Sequence, residues 1–63
     1  MKLETYAAHR GVSVEVVISN FIALNIFNST TQLPRKNYID KGLFKENGDI
    51  INVSEVDKLF LSK

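Results

Sequence analysis

Between Gly11 and Asn25 the chain runs Val12-Ser13-Val14-Glu15-Val16-Val17-Ile18-Ser19-Asn20-Phe21-Ile22-Ala23-Leu24, and no other stretch constrains the fold as tightly. In a chain of 63 residues so apolar a segment has to supply the centre of the core. Val17, Phe21 and Leu24 are spaced by four and three residues, as on one face of a helix. Ser13 suits the N-cap, because its hydroxyl accepts from an unpaired N–H of the first turn. Asn25 tolerates the left-handed backbone that closes a helix. The β-branched residues Val14 to Ile18 also suit a strand. A helix from Val14 to Leu24 is the expectation, and a strand at its start stays open.

Little outside the core can staple the fold. There is no cysteine, which removes disulfides and thiolate metal sites. With 44% hydrophobic and 24% charged residues the composition is that of a folded globular chain rather than a disordered one. No apolar run reaches the ~18 residues that crossing a bilayer requires. Met1-Lys2-Leu3-Glu4 leads directly into polar residues instead of a secretory leader, so a cytoplasmic protein is expected. One histidine, His9, and no cysteine leave scant material for catalysis or metal binding. The expectation is a binding protein, not an enzyme, with no cofactor and no metal.

The flanking segments read as short helices. Leu3, Tyr6, Ala7 and Arg10 have helical spacing, and Gly11 supplies the positive φ for a sharp stop. Residues 28–32 are polar and read as a connection. Pro34 fits the first turn of a third helix, where its missing N–H costs nothing, and that helix continues from Arg35 to Lys41 before Gly42. Asn47-Gly48 signals a two-residue hairpin with a type I′ turn, which places Lys45 opposite Ile50 and Phe44 opposite Ile51. Asn52 and Glu55 form a capping-box pattern, with Ser54 as an alternative start, ahead of a last helix with the stripe Val53, Val56, Leu59 and Phe60. Asn20-Phe21-Ile22-Ala23-Leu24-Asn25-Ile26-Phe27 and Asn37-Tyr38-Ile39-Asp40-Lys41-Gly42-Leu43-Phe44 also match at an offset of 17 residues. Each ends in a left-handed residue followed by an aliphatic residue and Phe. The expected architecture is a single domain over residues 1–63, mainly α with a small β-hairpin and about four short helices.

Charge is unevenly spread. Residues 35–45 carry Arg35, Lys36, Lys41 and Lys45 against Asp40 alone, a local net of +3 in a chain whose total is +1. A basic segment of this kind attracts polyanions even where net charge is small. Asp49, Glu55 and Asp57 lack the spacing of a calcium loop and read as a solvated, dipole-matched start to the last helix.

Tyr6-Ala7-Ala8-His9-Arg10-Gly11-Val12-Ser13, followed by Val16-Val17, resembles a helix-turn-helix signature. A small residue lets two helices cross, a glycine turns the chain, and an aliphatic–Ser pair opens the recognition helix. Together with Asn47-Gly48-Asp49-Ile50 running into Ser54-Glu55-Val56-Asp57-Lys58-Leu59, the pattern is similar to the small MerR-like and phage excisionase-like winged helix-turn-helix proteins. The resemblance covers about residues 3–27 and 42–60. It implies a winged helix-turn-helix fold that binds duplex DNA, with the polar positions Ser13, Ser19 and Asn20 of the second helix facing DNA and Lys45 and Asn47 on the wing. In that family the recognition helix usually carries Arg or Lys, whereas Val14 to Phe27 has no cation here. A displaced DNA face at Arg35, Lys36 and Lys41 is therefore expected, with Arg35 able to read guanine and the lysines to neutralise phosphate. So small a chain has little contact area, which favours a homodimer or cooperative tandem copies. The alternative is a protein-interaction module on the same scaffold, with Ile18, Ile22 or Ile26 exposed as its contact.

Overall fold

In a computed structural model that describes residues 1–62, four helices enclose one cluster of apolar side chains. Lys63 lies outside the described residues. The helices are α1 (Leu3–Arg10), α2 (Val14–Ala23), α3 (Lys36–Asp40) and α4 (Val53–Leu61). The β-branched start of the second segment is thus helical. Ser13 caps it as its chemistry requires, its Oγ accepting the N–H of Val16 at 3.3 Å. Asn52 caps α4 in the same way, accepting the Glu55 N–H at 3.2 Å.

Three helix ends are built alike. After α1 the Gly11 N–H donates to Ala8 O and the Val12 N–H to Ala7 O. After α2 the Asn25 N–H donates to Ile22 O and Ile26 N–H to Phe21 O; after α3 the Gly42 N–H donates to Ile39 O and Leu43 N–H to Tyr38 O. These are Schellman closures, and each needs a left-handed residue, here Gly11 (φ 72°), Asn25 (φ 62°) and Gly42 (φ 77°).

The 17-residue match extends beyond the caps. Phe27 and Phe44 are both fully buried, and each faces a later residue across an isolated antiparallel bridge, Phe27 with Pro34 and Phe44 with Ile50. Asn28 N–H donates to Leu33 O and Arg35 N–H to Ile26 O around the first bridge. Lys45 N–H donates to Asp49 O and Ile51 N–H to Leu43 O around the second. In both, the bonds flank the bridged pair, so the N–H of the later bridged residue points away from its partner strand. Ile50 uses that outward N–H to donate to the carbonyl of Met1 at 2.7 Å, while the Met1 nitrogen donates to Ile50 O at 2.6 Å. Pro34 occupies the equivalent position without an N–H to place.

Several expectations are corrected here. Pro34 is not in the first helical turn: it is buried in the Phe27 bridge, Arg35 is the N-cap, and α3 is shorter than the expected Arg35 to Lys41. The pairing around Asn47-Gly48 is shifted by one from the expected register, with Phe44 opposite Ile50 and Lys45 opposite Asp49. The turn is not type I′, because Asn47 has no positive φ and only Gly48 (φ 98°) does. Gly48 N–H donates to Lys45 O, and Asn47 Oδ1 accepts from the Asp49 N–H, giving a three-residue loop with a left-handed glycine at its end. No continuous strand forms among the described residues, so the antiparallel pairing stops at the two isolated bridges.

The core is aromatic at its centre. Phe21 lies 5.0 Å from Phe27, 5.6 Å from Phe44, 5.7 Å from Phe60 and 6.4 Å from Tyr6, ring centroid to centroid. Val17, Ile26, Ile50 and Val56 fill the gaps, and Leu59 and Phe60 pack from the α4 stripe. Ile26 is buried, which removes it from the expected exposed contact; Ile18 and Ile22 are half-buried. Asp57 is not a merely solvated helix-start acid. Its Oδ1 accepts the Tyr6 hydroxyl at 2.6 Å, and Arg10 Nε lies 3.5 Å away, so it clamps α4 to α1.

Candidate functional site

The basic residues occupy α3 and the turn behind it. The Arg35 N–H bonds Ile26 O, so the start of α3 is pinned beside the end of α2. From there Lys36 opens the helix, Lys41 caps it, and Lys45 begins the turn that returns to Asp49. All four side chains are exposed, and among the described residues none is ion-paired with a carboxylate. Lys41 differs from the rest, since its Nζ lies 5.5 Å from the centroid of the Tyr38 ring. The ring quadrupole attracts the ammonium and holds it near the ring face, without cancelling its charge. Arg35, Lys36 and Lys45 are free to meet an external anion. Asn47 is explained by its own turn, where the side chain is spent on the Asp49 N–H.

Ser13 is exposed, but its oxygen is engaged in the cap. Asn20 is half-buried, and Ser19 is exposed on the outward face. The structure therefore sorts the expected positions into two groups: Ser13, Ser19 and Asn20 along α2, and Arg35, Lys36, Lys41, Lys45 and Asn47 along α3 and its following turn.

A concavity of about 400 Å³ lies against α2, lined by Glu15, Ile18, Ser19, Ile22 and Gln32. Gln32 reaches it from the 28–33 loop, which is closed by its own bonds: Asn28 Oδ1 accepts from Thr30 N–H at 2.8 Å, and Gln32 N–H donates to Asn28 O at 2.8 Å. Two features here escaped the sequence reading. Gln32 carries a positive φ (56°), which a glutamine gives no reason to expect. Among the described residues Glu15 makes no ion pair, and only the absence of Lys and Arg from Val14 to Phe27 hinted at that.

The Tyr6 hydroxyl titrates well above the ordinary tyrosine value. Burial is the largest cause, followed by its hydrogen bond to Asp57 and the carboxylate's charge, with Arg10 opposing. A neutral tyrosine donating to a carboxylate is a structural tie, and its partners are Asp57 and the core rings rather than any residue of the basic segment.

Among the described residues no group of three or more His, Asp or Glu side chains is placed to hold a metal ion, and no helix is long and apolar enough to cross a membrane. Comparison with protein-family models, curated proteins and solved structures finds no match to this chain.

Proposed function

We propose that this chain binds duplex DNA through α3 and the turn that follows it. The observation that carries the reading is the set of exposed cations Arg35, Lys36 and Lys45, none held by an internal carboxylate among the described residues. Leaving cations unpaired on one short segment costs nothing in water and supplies the counterion-releasing contacts that phosphate binding uses. In this reading α1 and α2 act as the helix-turn-helix pair of a winged helix-turn-helix protein. The Lys45–Asp49 turn serves as a short wing, and α2 acts as scaffold rather than reader. Its class would be that of the small excisionase-like and MerR-like regulators of phages and mobile elements.

The longest dimension of the molecule is 28 Å, which covers about eight base pairs at ~3.4 Å per step. One copy therefore reads too little for a unique site, and two or more copies bound in tandem or as a dimer supply the rest.

The experiment is an NMR titration of labelled protein with a ~20 bp duplex at about 50 and 200 mM salt. Shifts concentrated at Arg35, Lys36, Lys41, Lys45 and Gly48 are expected. Three to four phosphate contacts predict a log–log salt slope of about −3, or a loss of roughly 60-fold in affinity over that range. Binding without salt dependence, or none at low salt, would defeat the reading.

A further inference from the structure

We propose that the concavity between α2 and the 28–33 loop is a peptide-docking site that takes a lysine or arginine side chain of a protein partner. This does not rest on DNA binding. The first observation is backbone strain. Gln32 holds φ at 56°, in a region that L side chains rarely adopt. The internal repeat shows what the position calls for: Gln32 lies two residues before the bridged Pro34, and the residue two before the bridged Ile50 is Gly48, also left-handed. A glycine would meet the same geometry without strain, so the glutamine side chain comes at a cost to the backbone. That side chain lines the concavity and makes no hydrogen bond among the described residues. Strain kept in this way is characteristic of binding sites.

The second observation is chemical complementarity. Among the described residues Glu15 is the only charged group in the lining and has no ion pair, and Val14 to Phe27 offers it no cation. Ile18 and Ile22, both half-buried, form an apolar wall one and two turns from it. A lysine or arginine fits both at once, laying its methylenes along the isoleucines and its charged head on Glu15. The Ser19 hydroxyl and the Gln32 amide, which can donate and accept, suit the backbone of the segment that carries the cation. A volume of about 400 Å³ admits such a side chain and its immediate neighbours. The carboxylate makes the same surface unsuited to phosphate.

The test uses the full labelled chain and a capped leucyl-arginyl-leucine amide, with the norleucine analogue in place of arginine as control. Shifts at residues 15–22 and at Gln32 are expected with the arginine peptide, at a dissociation constant of ~1 mM. The norleucine peptide and the Glu15→Gln variant should each bind about fivefold more weakly, the scale of one exposed ion pair. Gln32→Gly separates binding from folding: it should weaken binding about threefold, as for one lost neutral hydrogen bond, while its thermal midpoint holds or rises. Equal binding of the norleucine peptide, unchanged binding by either variant, or no shift up to ~10 mM peptide overturns the proposal. So do shifts at residues 15–22 on simple dilution without peptide, which would assign the surface to a second copy of this chain.

Discussion

The Tyr6 hydroxyl donates to Asp57 Oδ1 at 2.6 Å across 51 residues of sequence, joining the first helix to the last. The ring of Tyr6 is fully buried against Phe21 and Phe60. The aromatic core and the polar clamp are thus two ends of one side chain. Arg10 contributes the counter-charge, its Nε 3.5 Å from the same carboxylate oxygen but without hydrogen-bond geometry. In a fold without disulfides, this clamp opposes separation of the chain ends.

Removing the hydroxyl should therefore be felt. Tyr6→Phe keeps the ring packing and deletes one partly buried bond to a charged acceptor, an expected loss of about 1.5 kcal/mol in urea unfolding.

The same group sets an alkaline limit. The folded-state pKa of Tyr6 is raised above its unfolded value of about 10, so the fold favours the protonated form. This contribution is complete below about pH 10 and is lost as pH rises towards the higher folded value, at ~1.4 kcal/mol per pH unit. Urea melts between pH 8 and 11 should show the wild type losing stability at the top of the range. Tyr6→Phe, which lacks the group whose pKa is raised, should lose less.

Phe21 touches four other aromatic rings and is fully buried. Phe21→Ala should cost about 3–5 kcal/mol, close to the whole stability of so small a domain. Circular dichroism at 25 °C should find that variant largely unfolded, while Phe21→Leu remains folded with a lowered midpoint.

What could be read from the sequence was local. Gly11, Asn25 and Gly42 as helix stops, Ser13 and Asn52 as caps, and the α4 stripe are each decided by a few neighbouring residues, and the structure carries all of them. The 17-residue match was legible as a pattern of caps and Phe anchors, but the bridges that follow were not, because their register depends on loop length. The first loop is one residue longer than the second, and Asn47-Gly48 alone does not distinguish a two-residue loop from a three-residue one. Pro34 was misplaced because a proline suits both a helix start and an outward-facing bridge position. The Tyr6–Asp57 clamp joins residues 51 apart, and nothing in either one's neighbourhood marks its partner. At the candidate interface the segment was legible from charge alone. That Lys41 is drawn onto Tyr38 while Arg35 is not was a matter of geometry.

The repeated helix closure gives a paired test. Gly42 has open space around the position of a Cβ, so Gly42→Ala meets no clash and pays only for its left-handed backbone. The expected cost is about 1–2 kcal/mol. Asn25 performs the same closure at φ 62°, and Asn25→Gly should be nearly neutral, because relief of the backbone is offset by greater freedom in the unfolded chain. Thermal unfolding of the two variants side by side checks whether the closures are energetically as well as geometrically alike.

The four cations should separate when stability and DNA affinity are measured on the same variants. Arg35, Lys36 and Lys45 have no internal side-chain partner among the described residues, so replacing any one with alanine should leave the urea midpoint unchanged. Each contact to phosphate that is lost should flatten the log–log salt slope by about 1. Lys41→Ala should do both less and more. The Tyr38 ring holds its ammonium beside α3 and limits its reach to phosphate, so the slope should change by less than for the other three, while loss of the cation–π contact should cost ~0.5 kcal/mol of stability. Arg35→Lys then distinguishes two roles at one position. A phosphate contact survives the exchange of one cation for another, with the slope intact. A bidentate base contact does not, and affinity for the preferred site falls by about 1–3 kcal/mol while nonspecific binding stays the same. Fluorescence anisotropy on a selected site and a scrambled duplex, each at two salt concentrations, reads all of these outcomes.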